Sequence, residues 1–383
     1  MTALIASLLL LLCGLLVFLD LRSPFLWKVS LAATEFGHYF VLLPLALLIT
    51  AGTDTPIAMM TSIVTAAASL ILLYPSVSAF CMSRSVSRRL SALFGVSSMN
   101  GPVFSWRRLW FGTFPPAMEP ERHSYVRRND GELQLLLFRA HRAVPAPCVI
   151  IVHTGGWDSG SPAEFGMMSR HLASIGYAAA CIEYRFAPAH PWPAQKEDTM
   201  DAIEFLKTNA ERFGIDPSRF VLFGRSAGGQ IAEAAACTAH DPTIRGCIGF
   251  YSPADLVFAY EHLLPEPDIL DSRTLLHNFL NGPLEQQPER YRDASSYHHI
   301  GPAVPPMLLI HGAKDPLTWY RQSERLAKRL SEHGVRHLYI ELPWGTHAFD
   351  YNFNGPGGQI GRAAVESFLA AVCTPGNHDH SGR

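Results

Sequence analysis

The decisive stretch of this chain is Val221-Leu222-Phe223-Gly224-Arg225-Ser226-Ala227-Gly228-Gly229-Gln230. An apolar run stops at Gly-Xaa-Ser-Xaa-Gly and passes into alanine-rich, helix-favouring sequence, Ile231 to Ala236. That succession reads as strand, sharp turn, helix, the pattern of a nucleophile elbow. A serine on such a turn holds a strained backbone conformation, and glycines two residues before and after it remove side chains that would collide there. Ser226 therefore projects from the edge of a sheet, with the amino end of the following helix beneath it. Gly-Xaa-Ser-Xaa-Gly also arises in ordinary loops, so the assignment depends on what the rest of the chain supplies.

A serine hydroxyl is a weak nucleophile until a base takes its proton, and the base needs an acid to fix its tautomer and stabilise the imidazolium. On a sheet of this kind the chain order is nucleophile, acid, histidine. Asp315 follows the apolar run Leu308-Leu309-Ile310, and His347 follows Leu342-Pro343-Trp344-Gly345-Thr346. Both fall just after predicted strands, on the edge that carries Ser226. Asp350 is the rival acid, but it follows the histidine. Upstream, His153-Thr154-Gly155-Gly156-Trp157 closes another strand with a glycine pair that lets bare N–H groups approach a ligand. The N–H groups of Gly155, Gly156 and Ala227 are the candidate donors to an oxyanion. His153 lies ahead of that turn and is assigned a structural hydrogen bond.

Around these motifs strands alternate with helical patterns from about 122 to 374. Predicted strands are 123–128, 133–140, 148–153, 177–184, 220–224, 246–251, 307–311 and 337–342, the first two joined at Asn129-Asp130-Gly131. Helical patterns fall at 163–175, 195–213, 227–239, 319–334 and 360–373. Buried apolar strands separated by helices specify a mostly parallel sheet covered on both faces, with its chemistry at the strands' carboxyl ends. Residues 252–304 break the rhythm and read as a cap insertion.

The first hundred residues differ in kind. Three apolar stretches, 3–19, 31–51 and 56–82, read as transmembrane spans in a module over 1–83, although the first is short for a bilayer core that takes about 20 residues. Arg22 and Lys28 follow the first stretch, and Arg84, Arg88, Arg89, Arg107 and Arg108 follow the third. Three crossings would place both basic segments, and the large domain, on the cytoplasmic side of a plasma or inner membrane. Glu35 and His38 fit a headgroup position. Residues 84–121 form a basic and aromatic juxtamembrane linker, and 375–383 a flexible tail. A formal charge of −2 gives no basic face for nucleic acid. Seven scattered cysteines look like small buried hydrophobes and suit a reducing compartment.

Taken together, the motifs resemble the α/β-hydrolase fold, and within it the hormone-sensitive-lipase-like group of bacterial esterases. His153-Thr154-Gly155-Gly156-Trp157 is similar to that group's His-Gly-Gly-Gly motif. Tyr184-Arg185-Phe186-Ala187-Pro188-Ala189-His190-Pro191 resembles its Tyr-Arg-Leu-Ala-Pro-Glu-His-Pro stretch. Gly224-Arg225-Ser226-Ala227-Gly228-Gly229 resembles Gly-Asp-Ser-Ala-Gly-Gly, Asp315-Pro316-Leu317 the acid motif Asp-Pro-Leu, and His347-Ala348-Phe349 the terminal His-Gly-Phe. Thr154, Arg225 and Ala189 depart from the pattern, Thr154 adding a side chain beside the acyl pocket.

The resemblance implies ester hydrolysis without metal or cofactor. The expectation is thus an α/β-hydrolase domain behind about three transmembrane helices, acting as a membrane-anchored serine esterase on a small-molecule or lipid-like ester. Trp157, Trp344 and Phe349 stand close to the site in sequence and suit a lipophilic substrate. Acyl transfer through the same acyl-enzyme, or a catalytically idle binding module, are the alternatives.

Overall fold

The structure is a computed structural model that describes residues 2–19, 23–43, 46, 55–95, 101–128, 131–142, 145–263 and 268–374. Asn129 and Asp130, part of the second apolar stretch, and the tail 375–383 lie outside the described residues.

All eight predicted strands form: β1 (Glu121–Arg128), β2 (Gly131–Phe138), β3 (Ala146–Val152), β4 (Ala178–Ile182), β5 (Ile215–Arg225), β6 (Ile244–Phe250), β7 (Met307–Gly312) and β8 (His337–Leu342). They make one sheet in the order β1-β2-β4-β3-β5-β6-β7-β8. The pairs β1/β2 and β2/β4 are antiparallel and the remainder parallel. Every residue of β3, β4 and β7 is buried, as expected of strands covered on both faces.

The amino-terminal helices are α1 (Thr2–Leu15), α2 (Pro24–Phe40), α3 (Pro56–Phe94) and α4 (Trp106–Phe111). Within the domain follow α5 (Gly166–Ser174), α6 (Ala194–Thr208), α7 (Ala210–Phe213) and α8 (Ala227–Thr238). The cap holds α9 (Leu256–Glu261), α10 (Ser272–Leu280) and α11 (Pro288–Asp293), and the chain closes with α12 (Arg321–Glu332) and α13 (Pro356–Cys373). The helical pattern read over 195–213 is two helices, because Asn209 interrupts it.

Two cores result. One lies between the sheet and α6, α8, α12 and the cap, with Ile203, Leu222, Ile231, Phe279 and Leu326. The other joins Phe223, Ile248, Phe250 and Ile310 to Leu172 of α5, Ile360 and Phe368 of α13, and Leu90 and Phe94 of α3. Phe94 meets Phe368 edge to face at 5.3 Å, and Arg89 Nη2 donates to the Tyr339 carbonyl at 2.6 Å. Burying such a ring contributes about 2–3 kcal/mol. The carboxyl half of α3 is therefore part of the helical layer that covers this face of the sheet.

This corrects the reading of the first hundred residues. Among the described residues one helix, α3, is long and apolar enough to cross a membrane, and Thr2–Phe18 is a shorter apolar helix. The segment read as the second span is, where described, the end of α2, and it docks on the domain. Glu35 and His38 are fully buried, not placed among headgroups; His38 packs edge-on against Trp110 at 5.5 Å. The orientation argument needed three crossings and loses its premise. The stretch read as a linker from 84 begins instead as the last turns of α3.

Where α1 runs beside the first half of α3, the pattern is inverted relative to a soluble core. Small and polar residues are buried on both helices, Ser7 and Gly14 of α1 and Ala58, Thr61, Thr65 and Ala68 of α3; Ser7 Oγ lies 2.7 Å from Thr65 Oγ1, and Gly14 packs against Ile71 and Leu72. Ile5, Leu9, Leu12, Met59, Ile63 and Leu70 point outward, each more than half exposed.

Candidate active site

The last residue of β5 is Arg225, and Ser226 follows with φ +52° and ψ −124° before α8 begins at Ala227. A left-handed φ is costly for a side-chain-bearing residue and persists only where the surroundings enforce it. Here they do. Ser226 N donates to the Phe250 carbonyl at 2.9 Å, and the Ser226 carbonyl accepts from Gly229 and Gln230. A Cβ at Gly224 would collide with the Gly228 carbonyl, and one at Gly228 with the carbonyls of Val152 and His153. Both glycines are thus required by close backbone approach around the turn.

β7 and β8 bring the other two residues to the same edge. His347 Nε2 lies 3.0 Å from Ser226 Oγ, and His347 Nδ1 lies 2.7 Å from Asp315 Oδ2. The other carboxylate oxygen of Asp315 accepts the N–H groups of Leu317 and Thr318, both at 2.8 Å. His311 Nε2 stands 3.3 Å from Oδ2. Burial alone would raise the Asp315 pKa, but the His347 imidazole and the hydrogen bonds from His311 and His347 hold the carboxyl well below the usual range. An ionised Asp315 fixes Nδ1 as the donor and leaves the Nε2 lone pair turned to the serine.

Gly155 and Gly156 sit at φ +115° and +59°. Gly156 and Ala227 line the pocket that Ser226 opens into, and the Gly155 carbonyl accepts from Asp158 and Ser159 N–H. The lining is mostly apolar, with Leu256, Phe258 and Leu263 of the α9 region, Leu275 of α10, and Trp319, beside the polar His262, Ser272, Thr318 and Gln322. Trp157 lines it too, stacked on Phe279 at 4.2 Å and donating to Gln230 Oε1 at 2.8 Å. Trp344 and Phe349 do not line it. They are fully buried in the core beneath, so adjacency in sequence misplaced them.

Three further expectations meet the structure here. His153 Nδ1 donates to the Thr154 carbonyl at 2.6 Å and its ring stacks on Tyr184 at 4.2 Å, a structural role. Burial lowers its pKa, so the ring is neutral near pH 7. Thr154 Oγ1 donates to Glu164 at 2.6 Å and is absent from the lining of the pocket, contrary to the expected side chain beside it. Asp350 does not reach the histidine. It accepts Arg225 Nε at 2.6 Å and the Tyr251 hydroxyl at 2.7 Å.

That last arrangement is the one the sequence did not show. Arg225 is 2% exposed, its guanidinium 4.3 Å from the Phe223 ring centroid and 4.4 Å from that of Phe165. Tyr251, the residue after β6, holds its ring 4.5 Å from that of His347. One buried carboxylate thus joins the residue before the serine, the end of β6 and the loop of the histidine.

The BD-FAE family model matches residues 135–330. Esterase LipC of Mycobacterium tuberculosis is 32% identical over 256 residues, which cover 62% of this chain and 63% of that protein. A probable carboxylic ester hydrolase, LipM, from the same organism is 28% identical over 240 residues, covering 59% of this chain and 54% of its own length. The chain therefore spans less than two thirds of these relatives. An esterase from Thermogutta terrifontis, solved with propionate bound, superposes with a TM-score of 0.56 at 22% identity over 69% of this chain and 97% of its own. An acetyl ester-xyloside bifunctional hydrolase from Caldicellulosiruptor lactoaceticus gives 0.57 at 21% identity over 68% and 98%. These two share the α/β-hydrolase fold. With Gly155, Ser226 and Asp315 inside the matched region and His347 just beyond it, the chain belongs to the BD-FAE family.

Proposed function

We propose that this protein is a membrane-associated serine esterase, a carboxylic ester hydrolase that works through an acyl-enzyme on Ser226. The observation that carries the reading is the continuous relay from Ser226 Oγ through both nitrogens of His347 to an ionised, buried Asp315.

His347 Nε2 takes the hydroxyl proton as Ser226 Oγ attacks the ester carbonyl, and Asp315 stabilises the imidazolium that forms. The carbonyl oxygen becomes an oxyanion held by the N–H groups of Gly155, Gly156 and Ala227, at the amino end of α8. Each such donor is worth about 3 kcal/mol in the transition state. His347 returns the proton to the leaving alkoxide, and water, deprotonated by the same nitrogen, opens the acyl-enzyme. The apolar wall of Leu256, Phe258, Leu263, Leu275 and Trp319 supports a lipophilic acyl group. The outward leucines, isoleucines and methionines of α1 and the first half of α3 support seating in a bilayer, because water penalises an apolar surface of that extent.

Turnover of p-nitrophenyl butyrate by the detergent-solubilised protein tests the assignment. Ser226→Ala abolishes it on this reading, and retention of most of the activity would overturn it. A chain-length series tests the substrate class, since preference for acetyl over every longer ester is incompatible with the apolar wall as acyl site.

A further inference from the structure

The loop that carries His347 runs from the end of β8 to the start of α13, beyond the region that matches the family. Immediately after His347 the backbone is strained: Ala348 has φ +62°. A non-glycine residue in that region costs about 1–2 kcal/mol, and the conformation survives only where neighbouring structure imposes it. On the sheet side Tyr251 supplies such a neighbour. On the other side the neighbour is α2, from the first forty residues.

α2 touches the loop at two levels. In its first turn Trp27 Nε1 donates to the His347 carbonyl at 3.4 Å, with the rings 6.3 Å apart and inclined at 66°. About two turns later Glu35 meets the far end of the same loop. Asn352 Nδ2 donates to the Glu35 carbonyl at 2.8 Å, and the Gly357 amide to Glu35 Oε2 at 3.3 Å. Glu35 is fully buried, and its carboxyl lies at the amino terminus of α13; burial pushes its pKa well above the usual carboxyl range, against the backbone amides that lower it. A Cβ at Gly355 would overlap that carboxyl, so loop and helix fit too closely for a larger residue. The carboxyl half of α2 is fixed in turn: a Cβ at Gly37 would strike the Leu72 carbonyl of α3, and Tyr39 Oη donates to the Trp110 carbonyl at 3.1 Å.

We propose that Trp27 and Glu35 are positioning residues for acyl transfer, holding the His347 loop so that Nε2 stays aimed at Ser226 Oγ. The amino-terminal helices then act on the chemistry as well as on location. This rests on the Ser226–His347–Asp315 reading. A loosened loop lowers the fraction of molecules with the base in line, which reduces kcat. It leaves the substrate pocket alone, since neither Trp27 nor Glu35 lines it. A misplacement of the order of 1 Å costs roughly a hundredfold in rate, so partial loosening predicts a loss of about tenfold or more.

The test uses the full chain in detergent. Trp27→Ala and Glu35→Ala are each expected to lower kcat for p-nitrophenyl butyrate about tenfold with KM within about twofold, and to slow covalent capture of Ser226 by a fluorophosphonate in parallel. Trp27→Phe, which keeps a ring but not the N–H, falls between Trp27→Ala and wild type. Lys28→Ala, on the exposed face of the same helix, leaves kcat unchanged. If Trp27→Ala gives no cooperative melting transition, Trp27→Phe decides the matter. Wild-type kcat in a folded Trp27→Ala protein, or in Trp27→Phe where that variant decides, overturns the proposal, as does a loss confined to KM. Persistent turnover in Ser226→Ala would instead overturn the triad on which it rests, so the two failures are distinguishable.

Discussion

Arg225 and Asp350 form an ion pair 2.6 Å long that is almost wholly removed from solvent, and it bridges the strand of the nucleophile to the loop of the histidine. The two residues lie 125 positions apart in the chain. Removing one partner strands a buried charge, which costs about 3–5 kcal/mol, whereas replacing both with apolar residues of similar volume removes the penalty. Asp350→Leu and Arg225→Met should each lower stability to urea by that order. The double variant Arg225→Met, Asp350→Leu should be less destabilised than the sum of the singles. Strict additivity in the cycle would show that the pair is not coupled.

Glu233, in the second turn of α8, sets a pH dependence of stability. Its carboxylate accepts from Ser252 and from Ser296 of the cap, yet burial dominates and pushes its pKa up to about 7 from an ordinary 4.5. Between those values the folded protein holds a proton that the unfolded chain has released, so stability falls as pH rises through the window and is flat in this group above it. The expected loss is about 2–3 kcal/mol between pH 5 and pH 8. Urea unfolding at the two pH values measures it. Glu233→Gln should remove most of the difference; an unchanged difference would assign it to another group.

The proposed membrane association would rest on the outer faces of α1 and α3. Leu9 and Ile63 are among the most exposed apolar residues of the pair. A charge near the middle of a bilayer costs about 3 kcal/mol on insertion scales, so Leu9→Lys combined with Ile63→Lys should release the protein from sedimenting liposomes. Seam variants such as Ser7→Ala should not, because that side chain faces Thr65 rather than lipid. Equal sedimentation of wild type and the double lysine variant would argue for attachment by other means.

The sheet and the relay were legible because their signals are local. Leu308-Leu309-Ile310 and Val221-Leu222-Phe223 announce buried strands, and the glycines flanking Ser226 announce the turn. The first hundred residues were less legible because apolar periodicity does not distinguish burial in lipid from burial in protein. Glu35 and His38 were placed among headgroups on that ground, and their real partners, Gly357 and Trp110, lie far away in the chain. Arg225 was conspicuous but unexplained, since its acceptor is supplied by a residue on another loop. Phe349 was read as facing the site because it stands two residues from His347; the turn of the backbone at Ala348 sends it into the core.

The contact between Glu35 and the start of α13 joins residues 322 positions apart. During synthesis α1 and α2 are translated long before the loop around His347. The elbow and Asp315 can assemble as their strands appear, but the histidine loop must then find a helix translated about 300 residues earlier. On the proposed function, the base would reach its working position only after that distant contact has closed.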